Sequence, residues 1–353
     1  MFRIGEEGLK NKLAAVFLGI VLVIASSHCY ANEIESSPLF SDSPEVLAFI
    51  QEMHAQHDFD TKDLVRWFST IRSNTAVLKA IQPAVVPELQ RNWLRYRARF
   101  LNERLLRQGL RFWQENGAEL SRAEALYGVP QEIIVAIIGI ETRYGRNMGK
   151  FSVLEALATL AFDYPPRAPF FRKELEQFLL MAEENNTDPL DYKGSYAGAI
   201  GIPQFMPSSQ RNYAVDFDGD GRIDLRRSVA DAIGSAANFL AMHGWKPQMP
   251  IAMPANVTGD PAALIANGIK PSLPLRELQD QGVILIGEDA ETMADVPASL
   301  IDLASPDLPT EYWIGFDNFY VITRYNRSSF YAMSVFLLAE MLYEAQSNRA
   351  KAN

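Results

Sequence analysis

Val129-Pro130-Gln131-Glu132-Ile133-Ile134-Val135-Ala136-Ile137-Ile138-Gly139-Ile140-Glu141-Thr142-Arg143-Tyr144-Gly145 has a proline suited to a first helical position and a glycine at its end. The spacing between them predicts a helix. Its apolar stripe includes Ile134, Ile137 and Ile138, and Glu141 follows these at helical intervals, which places a carboxylate on the buried face. Desolvation raises the pKa of such a carboxyl, and the negative end of the helix dipole raises it further. An acid kept protonated near neutral pH suits proton donation to a glycosidic oxygen. Periodicity alone leaves a second reading open, a buried ion pair with Arg143 or another core arginine.

Working outward, Ser43-Pro44-Glu45 reads as a helix start, and helical patterns continue almost unbroken to His243. Ser152-Val153-Leu154-Glu155 has the form of a capping box, and Tyr164-Pro165-Pro166-Arg167 ends the helix it opens. In the run from Lys193 to Ser208, glycines 194, 198 and 201 permit close backbone approach to a ligand, or simply tight packing. Ser195 and Gln204 add neutral hydrogen-bonding groups suited to a sugar. After Lys246 the texture changes to short β-type runs, Gly282 to Ile286 and Tyr320 to Thr323, between proline-rich turns. A final amphipathic helix is expected from about Ser328 to Glu344. The expected organisation is a signal peptide (1–31), a linker (32–42), an N-terminal α-domain (43–126), a helical core (127–245), a small β-rich domain (246–326) and a returning C-terminal helix (327–353).

A chain of 353 residues, 48% of them hydrophobic, can bury a substantial core. Its net charge of −10 opposes the basic surface that nucleic-acid binding needs, so no nucleic-acid partner is expected. One cysteine, Cys29, builds neither a disulfide framework nor a Cys-based metal site. Arg3, Lys10 and Lys12 precede the apolar run Leu13 to Ala25, which reads as an export signal followed by a cleavage site near Ala31. A periplasmic product is expected, with a retained membrane anchor as the alternative.

The segment from Tyr127 to Trp245, with Gly-Ile-Glu-Thr-Arg-Tyr-Gly at 139–145, Gly-Ser-Tyr-Ala-Gly-Ala at 194–199 and Gln-Phe-Met-Pro-Ser at 204–208, closely resembles the lytic murein transglycosylase B family. Tyr320-Val321-Ile322-Thr323-Arg324-Tyr325-Asn326 and the last helix resemble that family's C-terminal part. The resemblance implies a mainly α (α+β) protein: a lysozyme-like helical core with an N-terminal α-domain and a small C-terminal β-rich domain. It also implies Glu141 as catalytic carboxylate, and a sugar cleft lined by Tyr96, Arg167, Ser195, Gln204, Tyr325 and Asn326. Pro166 stands where many members carry a second arginine, and Phe170 and Phe239 where tyrosines are common.

Asp216-Phe217-Asp218-Gly219-Asp220-Gly221-Arg222-Ile223-Asp224 matches a calcium-binding EF-hand loop up to its ninth position. Arg227 stands at position twelve, so the closing ligand is expected further along, at Asp231. The expected structural calcium site is Asp216, Asp218, Asp220, Arg222 and Asp231, and no organic cofactor is expected.

Glycosidases ordinarily use two carboxylates, and no second acid has credentials like those of Glu141. The family-like mechanism needs one. Glu141 protonates the leaving oxygen and then acts as base on the 6-hydroxyl of N-acetylmuramic acid, giving a 1,6-anhydro end. Expected partners are peptidoglycan strands and, beyond them, cell-wall synthesis enzymes. Two alternatives stay open: a hydrolytic muramidase and a non-catalytic, calcium-stabilised glycan-binding scaffold.

Overall fold

The computed structural model describes residues 39–82, 91–286 and 292–352. The expected signal segment, with Cys29, lies outside the described residues, as does most of the linker. Among the described residues no single helix is long and apolar enough to cross a membrane.

Fifteen described helices follow one another as α1 (Pro44–His57), α2 (Thr61–Phe68), α3 (Thr75–Ile81), α4 (Trp93–Arg97), α5 (Glu103–Glu115), α6 (Gly117–Tyr127), α7 (Gln131–Thr142), α8 (Val153–Phe162), α9 (Ala168–Glu184), α10 (Pro207–Tyr213), α11 (Val229–Met242), α12 (Ala262–Ala266), α13 (Leu275–Asp280), α14 (Asp317–Tyr325) and α15 (Ser329–Ala352). A two-stranded pair, β1 (Phe151–Ser152) with β2 (Lys193–Gly194), ties the glycine-bearing loop to the start of α8. The remaining strands are β3 (Ala252–Val257), β4 (Leu273–Pro274), β5 (Val283–Leu285), β6 (Pro297–Leu303) and β7 (Glu311–Gly315). They form an antiparallel sheet in the order β4-β6-β7-β3-β5, with Ile301 opposite Trp313 and Ala252 opposite Gly315.

The apolar residues form three clusters that do not follow chain order. The largest joins α4 to α7 with α11, α14 and α15; a second joins α1 to α3 with α8 and α9; the third fills the space between the sheet and α12 and α13. Helices before residue 127 therefore serve two different clusters.

The helix expected from the 129–145 stretch is α7, which stops at Thr142. Arg143, Tyr144 and Gly145 then turn through three consecutive left-handed conformations, φ 51°, 62° and 78°. Two of these are non-glycine residues, for which that region is uphill. Packing holds Tyr144 there: its ring lies against Phe112, with centroids 5.2 Å apart, and its hydroxyl sits where a Cβ on Gly109 or Gly139 would fall. The helix is also buried more completely than an amphipathic stripe implies. From Ile133 to Thr142 every residue except Glu141 is buried. Each buried isoleucine contributes about 1.5–3 kcal/mol, so α7 is a firm mount for the one carboxylate in its last turn.

Two local expectations are corrected. Tyr320 to Thr323 is not a strand but the middle of α14. Phe319, Val321, Ile322 and Thr323 are all buried, and a short continuous apolar run fits a buried helix as well as a strand. The deciding group is Asn318, fully buried, whose side chain accepts from the Lys246 N–H and donates to the carbonyls of Lys246 and Met249. The Ser152 capping box is one-sided. Ser152 Oγ accepts from the Glu155 N–H, whereas the Glu155 carboxylate accepts from Asn74 Nδ2 at 3.0 Å.

Candidate active site

Glu141 leaves the C-terminal turn of α7 part-buried, with Tyr331, 2% exposed near the start of α15, donating its hydroxyl to Glu141 Oε1 at 2.7 Å. The ion pair with Arg143 does not form; Arg143 is exposed at the helix cap. Burial pushes the Glu141 carboxyl up to about 7, and the Tyr331 hydrogen bond opposes that rise. Among the described residues no second carboxylate contributes to the shift. Burial raises the Tyr96 and Tyr325 hydroxyls, and the charge of Glu141 raises them further, which places both rings around the acid. Tyr325 and Tyr331 stack at 6.4 Å with 14° between their planes, and Tyr96 packs on Phe330 at 5.7 Å.

The neutral groups lie on the glycine-bearing loop, which is tied to the last turn of α7. Thr142, next to Glu141, donates its hydroxyl to the Ile202 carbonyl at 2.8 Å and accepts from the Gly145 N–H. This bond fixes the loop against the end of α7. Gln204 adopts φ 54°, and its Nε2 donates to the carbonyls of Gly201 and Met148, leaving Oε1 to accept from a ligand. Tyr325 donates to the Pro203 carbonyl at 2.7 Å. Ser195 Oγ accepts from the N–H groups of Ala197 and Ala199, so its own proton is free to be donated. The glycines themselves serve packing rather than ligand approach. A Cβ on Gly194 would lie 2.3 Å from the Ala199 carbonyl oxygen, on Gly198 2.4 Å from the Leu157 side chain, and on Gly201 2.4 Å from the Leu225 carbonyl oxygen.

Gln204 and Tyr325 share a cavity of about 350 Å³ with Phe170 and Phe239. Arg167 borders it, exposed, with its guanidinium 4.5 Å from the Phe170 ring centre and 5.0 Å from that of Phe171. Asn326 is exposed, in extended backbone just past α14. Tyr325 thus links Tyr331, the partner of Glu141, to the loop that carries Gln204, while Arg167 and Asn326 are exposed and Ser195 does not line this cavity. Tyr331 is the group that sequence reasoning missed. The Ser328-Ser329-Phe330-Tyr331 opening of its helix carries no local signal of that contact.

Residues 41–340 match the transglycosylase SLT domain model. Membrane-bound lytic murein transglycosylase B of Escherichia coli (strain K12) is 44% identical over 323 residues, 88% of this chain and 85% of that protein. The chain belongs to the lytic transglycosylase family. Soluble lytic transglycosylase SltB1 from Pseudomonas aeruginosa is similar in structure, with TM-score 0.79 and 43% identity, covering 86% of this chain and all of that one. So is the Escherichia coli lytic transglycosylase Slt35 in complex with calcium, with TM-score 0.78 and 42% identity over 88% of this chain and 96% of that one. The mainly α, lysozyme-like fold expected from the sequence is the one these relatives have.

The transglycosylase also carries the acidic loop. Asp216, Asp218 and Asp231 each offer a carboxylate oxygen within 4.8 Å of the others. Asp231 is 1% exposed and accepts from the N–H groups of Phe217, Asp218 and Asp224, so its position is fixed by main chain. Asp216 accepts from Gly219, Asp220 and Gly221. Of the four expected carboxylate ligands the structure groups these three. The Asp220 carboxylate lies outside the group and accepts from the Arg222 N–H; at the seventh position Arg222 would offer its main-chain carbonyl. Three hard oxygens in a glycine turn fit calcium.

Proposed function

We propose that the enzyme cleaves the β-1,4 bond between N-acetylmuramic acid and N-acetylglucosamine in peptidoglycan without water, with Glu141 as the single acid and base. The observation that carries this is a carboxyl poised near neutrality with no carboxylate partner among the described residues. In a retaining glycosidase the two carboxyl groups lie about 5–5.5 Å apart and would perturb each other's titration. Glu141 gives its proton to the leaving O4 as the C1–O4 bond breaks. The substrate's own acetamido group supports the positive anomeric carbon, with Ser195 and Gln204 holding the sugar by hydrogen bonds. Glu141, now a carboxylate, takes the proton of the 6-hydroxyl as O6 bonds to C1. Atoms balance with no added reactant, and the intramolecular attack needs little further ordering. Tyr331 holds one carboxyl oxygen so that the other faces the bond. Tyr96, Arg167, Tyr325 and Asn326 line the remaining cleft.

This mechanism makes rate fall as pH rises through about 7, where Glu141 loses its proton. Because the Tyr331 bond lowers that pKa, Tyr331→Phe should move the alkaline limb of the pH–rate profile upward, with about a tenfold loss in kcat from poorer orientation. An alkaline limb that stays in place, or moves down, would remove this coupling from the account.

The calcium reading rests on the Asp216, Asp218 and Asp231 group and on the calcium complex of the Slt35 relative. The ion would act as a clip between the loop and α11. Export to the periplasm by the N-terminal segment agrees with the substrate's location and with the membrane-bound relative. Cell-wall synthesis enzymes are the natural partners of such an activity.

A further inference from the structure

A cavity of about 640 Å³ opens between the end of α9 and the acidic loop, and the mechanism above makes no use of it. Its lining includes Asn186, Tyr192, Gln210, Arg222, Arg226 and Arg227. Two of these groups are unusual. Arg226 is held rigidly: its guanidinium lies 4.2 Å from the Tyr192 ring centre, its Nη1 donates to the Asp191 carbonyl, and its Nε lies 3.8 Å from Asp224. A stacked, half-buried guanidinium with further N–H donors is preorganised to read a carboxylate. Gln210 is 6% exposed, and its Oε1 has no hydrogen-bond partner. That oxygen is itself closed to solvent, so it is an unsatisfied group inside the cavity wall and not an acceptor open to a ligand. The three acids of the lining are already engaged, Asp216 by the main-chain N–H groups of Gly219, Asp220 and Gly221. Glu184 pairs with Arg211 at 2.6 Å, and Asp224 accepts from the main-chain N–H groups of Arg226 and Arg227.

We infer that this cavity is a second substrate site, which takes a free carboxylate of a peptidoglycan stem peptide on Arg226, with Arg222 and Arg227 beside it. The chemistry asks for a short peptide bearing free carboxylates, since Arg226 is fixed with N–H donors to spare and the acids of the lining already have partners. This rests on the reading that peptidoglycan is the substrate. It adds an anchor outside the cleft, through which a stem from the cut strand or its neighbour tethers the enzyme to the wall.

The test is calorimetric titration of the full chain with the soluble tripeptide L-alanyl-γ-D-glutamyl-diaminopimelate, alone and with stem-free glycan strands added to fill the cleft. Binding should persist with the glycan present and weaken at least about tenfold in Arg226→Ala. Arg226→Lys should recover only part of it, because an ammonium lacks the planar fork. Should Arg226→Ala not fold, hydrogen exchange of the wild-type chain decides: the tripeptide should protect residues 185–187 and 222–227. No binding, binding unaffected by Arg226→Ala, displacement by stem-free glycan, or absent protection of those segments would each overturn the site. Turnover of stem-free strands, measured in parallel, reports on the cleft chemistry separately.

Discussion

Glu141→Gln is expected to lose at least about a thousandfold in turnover of peptidoglycan while keeping its fold. An amide can neither give the proton to O4 nor take one from O6, so both halves of the reaction fail together. The amide should nevertheless be the more stable protein in alkali. The carboxyl's folded pKa, about 7, lies above its ordinary 4.5, so the native state binds this proton more tightly than the unfolded chain. Stability contributed by that proton is present below pH 4.5 and is lost as pH rises to about 7, a change of about 3 kcal/mol. Glu141→Gln removes the loss. Its melting temperature should match that of the wild type at pH 4.5 and exceed it by several degrees at pH 8. Equal melting temperatures at both pH values would show that the carboxyl is not desolvated, and turnover within tenfold of wild type would remove it from the chemistry.

The second large effect concerns Asp231. Asp231→Ala strips the acceptor from the N–H groups of Phe217, Asp218 and Asp224 and removes one oxygen of the proposed cation group. Phe217 is buried, and water cannot replace its lost partner. A loss of about 3 kcal/mol is expected without calcium. A further difference of about 3 kcal/mol should appear at calcium well above its dissociation constant, because the ion binds only the folded chain. Asp218→Ala separates the two parts, since its exposed carboxylate belongs to the cation group but accepts none of these three bonds. Melting curves with calcium and with chelator should show Asp218→Ala losing the calcium-dependent part and little else, since the bonds it accepts from Ser228 and the Asp220 N–H are exposed to water. A calcium shift that survives in Asp218→Ala would place the ion elsewhere.

What could be read in the sequence was what short segments specify alone. Glu141 stood out because helical spacing ties it to Ile134, Ile137 and Ile138 within two turns, and Asp216 and Asp218 because an acidic turn is written in consecutive residues. Asp231 was legible once Arg227 broke the loop pattern. Pairings between distant elements were not legible. Tyr331 reaches Glu141 across 190 positions of sequence, and nothing local in α15 marks it as a partner. Tyr320 to Thr323 looked like a strand because its burial against α11 and α15 comes from tertiary packing, which overrides a weak β-type pattern. The glycines of the 194–201 loop misled in a related way. Their need for space was clear, but whether a ligand or Leu157 and Leu225 filled that space depended on chain elsewhere.

The central claim is that one carboxylate and the sugar's own 6-hydroxyl complete the reaction, and it is tested most directly by digesting purified sacculi in heavy-oxygen water and weighing the released muropeptides. The expected fragments end in 1,6-anhydro-N-acetylmuramic acid and carry no heavy oxygen at the anomeric carbon. Reducing ends that are one water heavier and labelled at that position would contradict it and identify a hydrolase on the same scaffold.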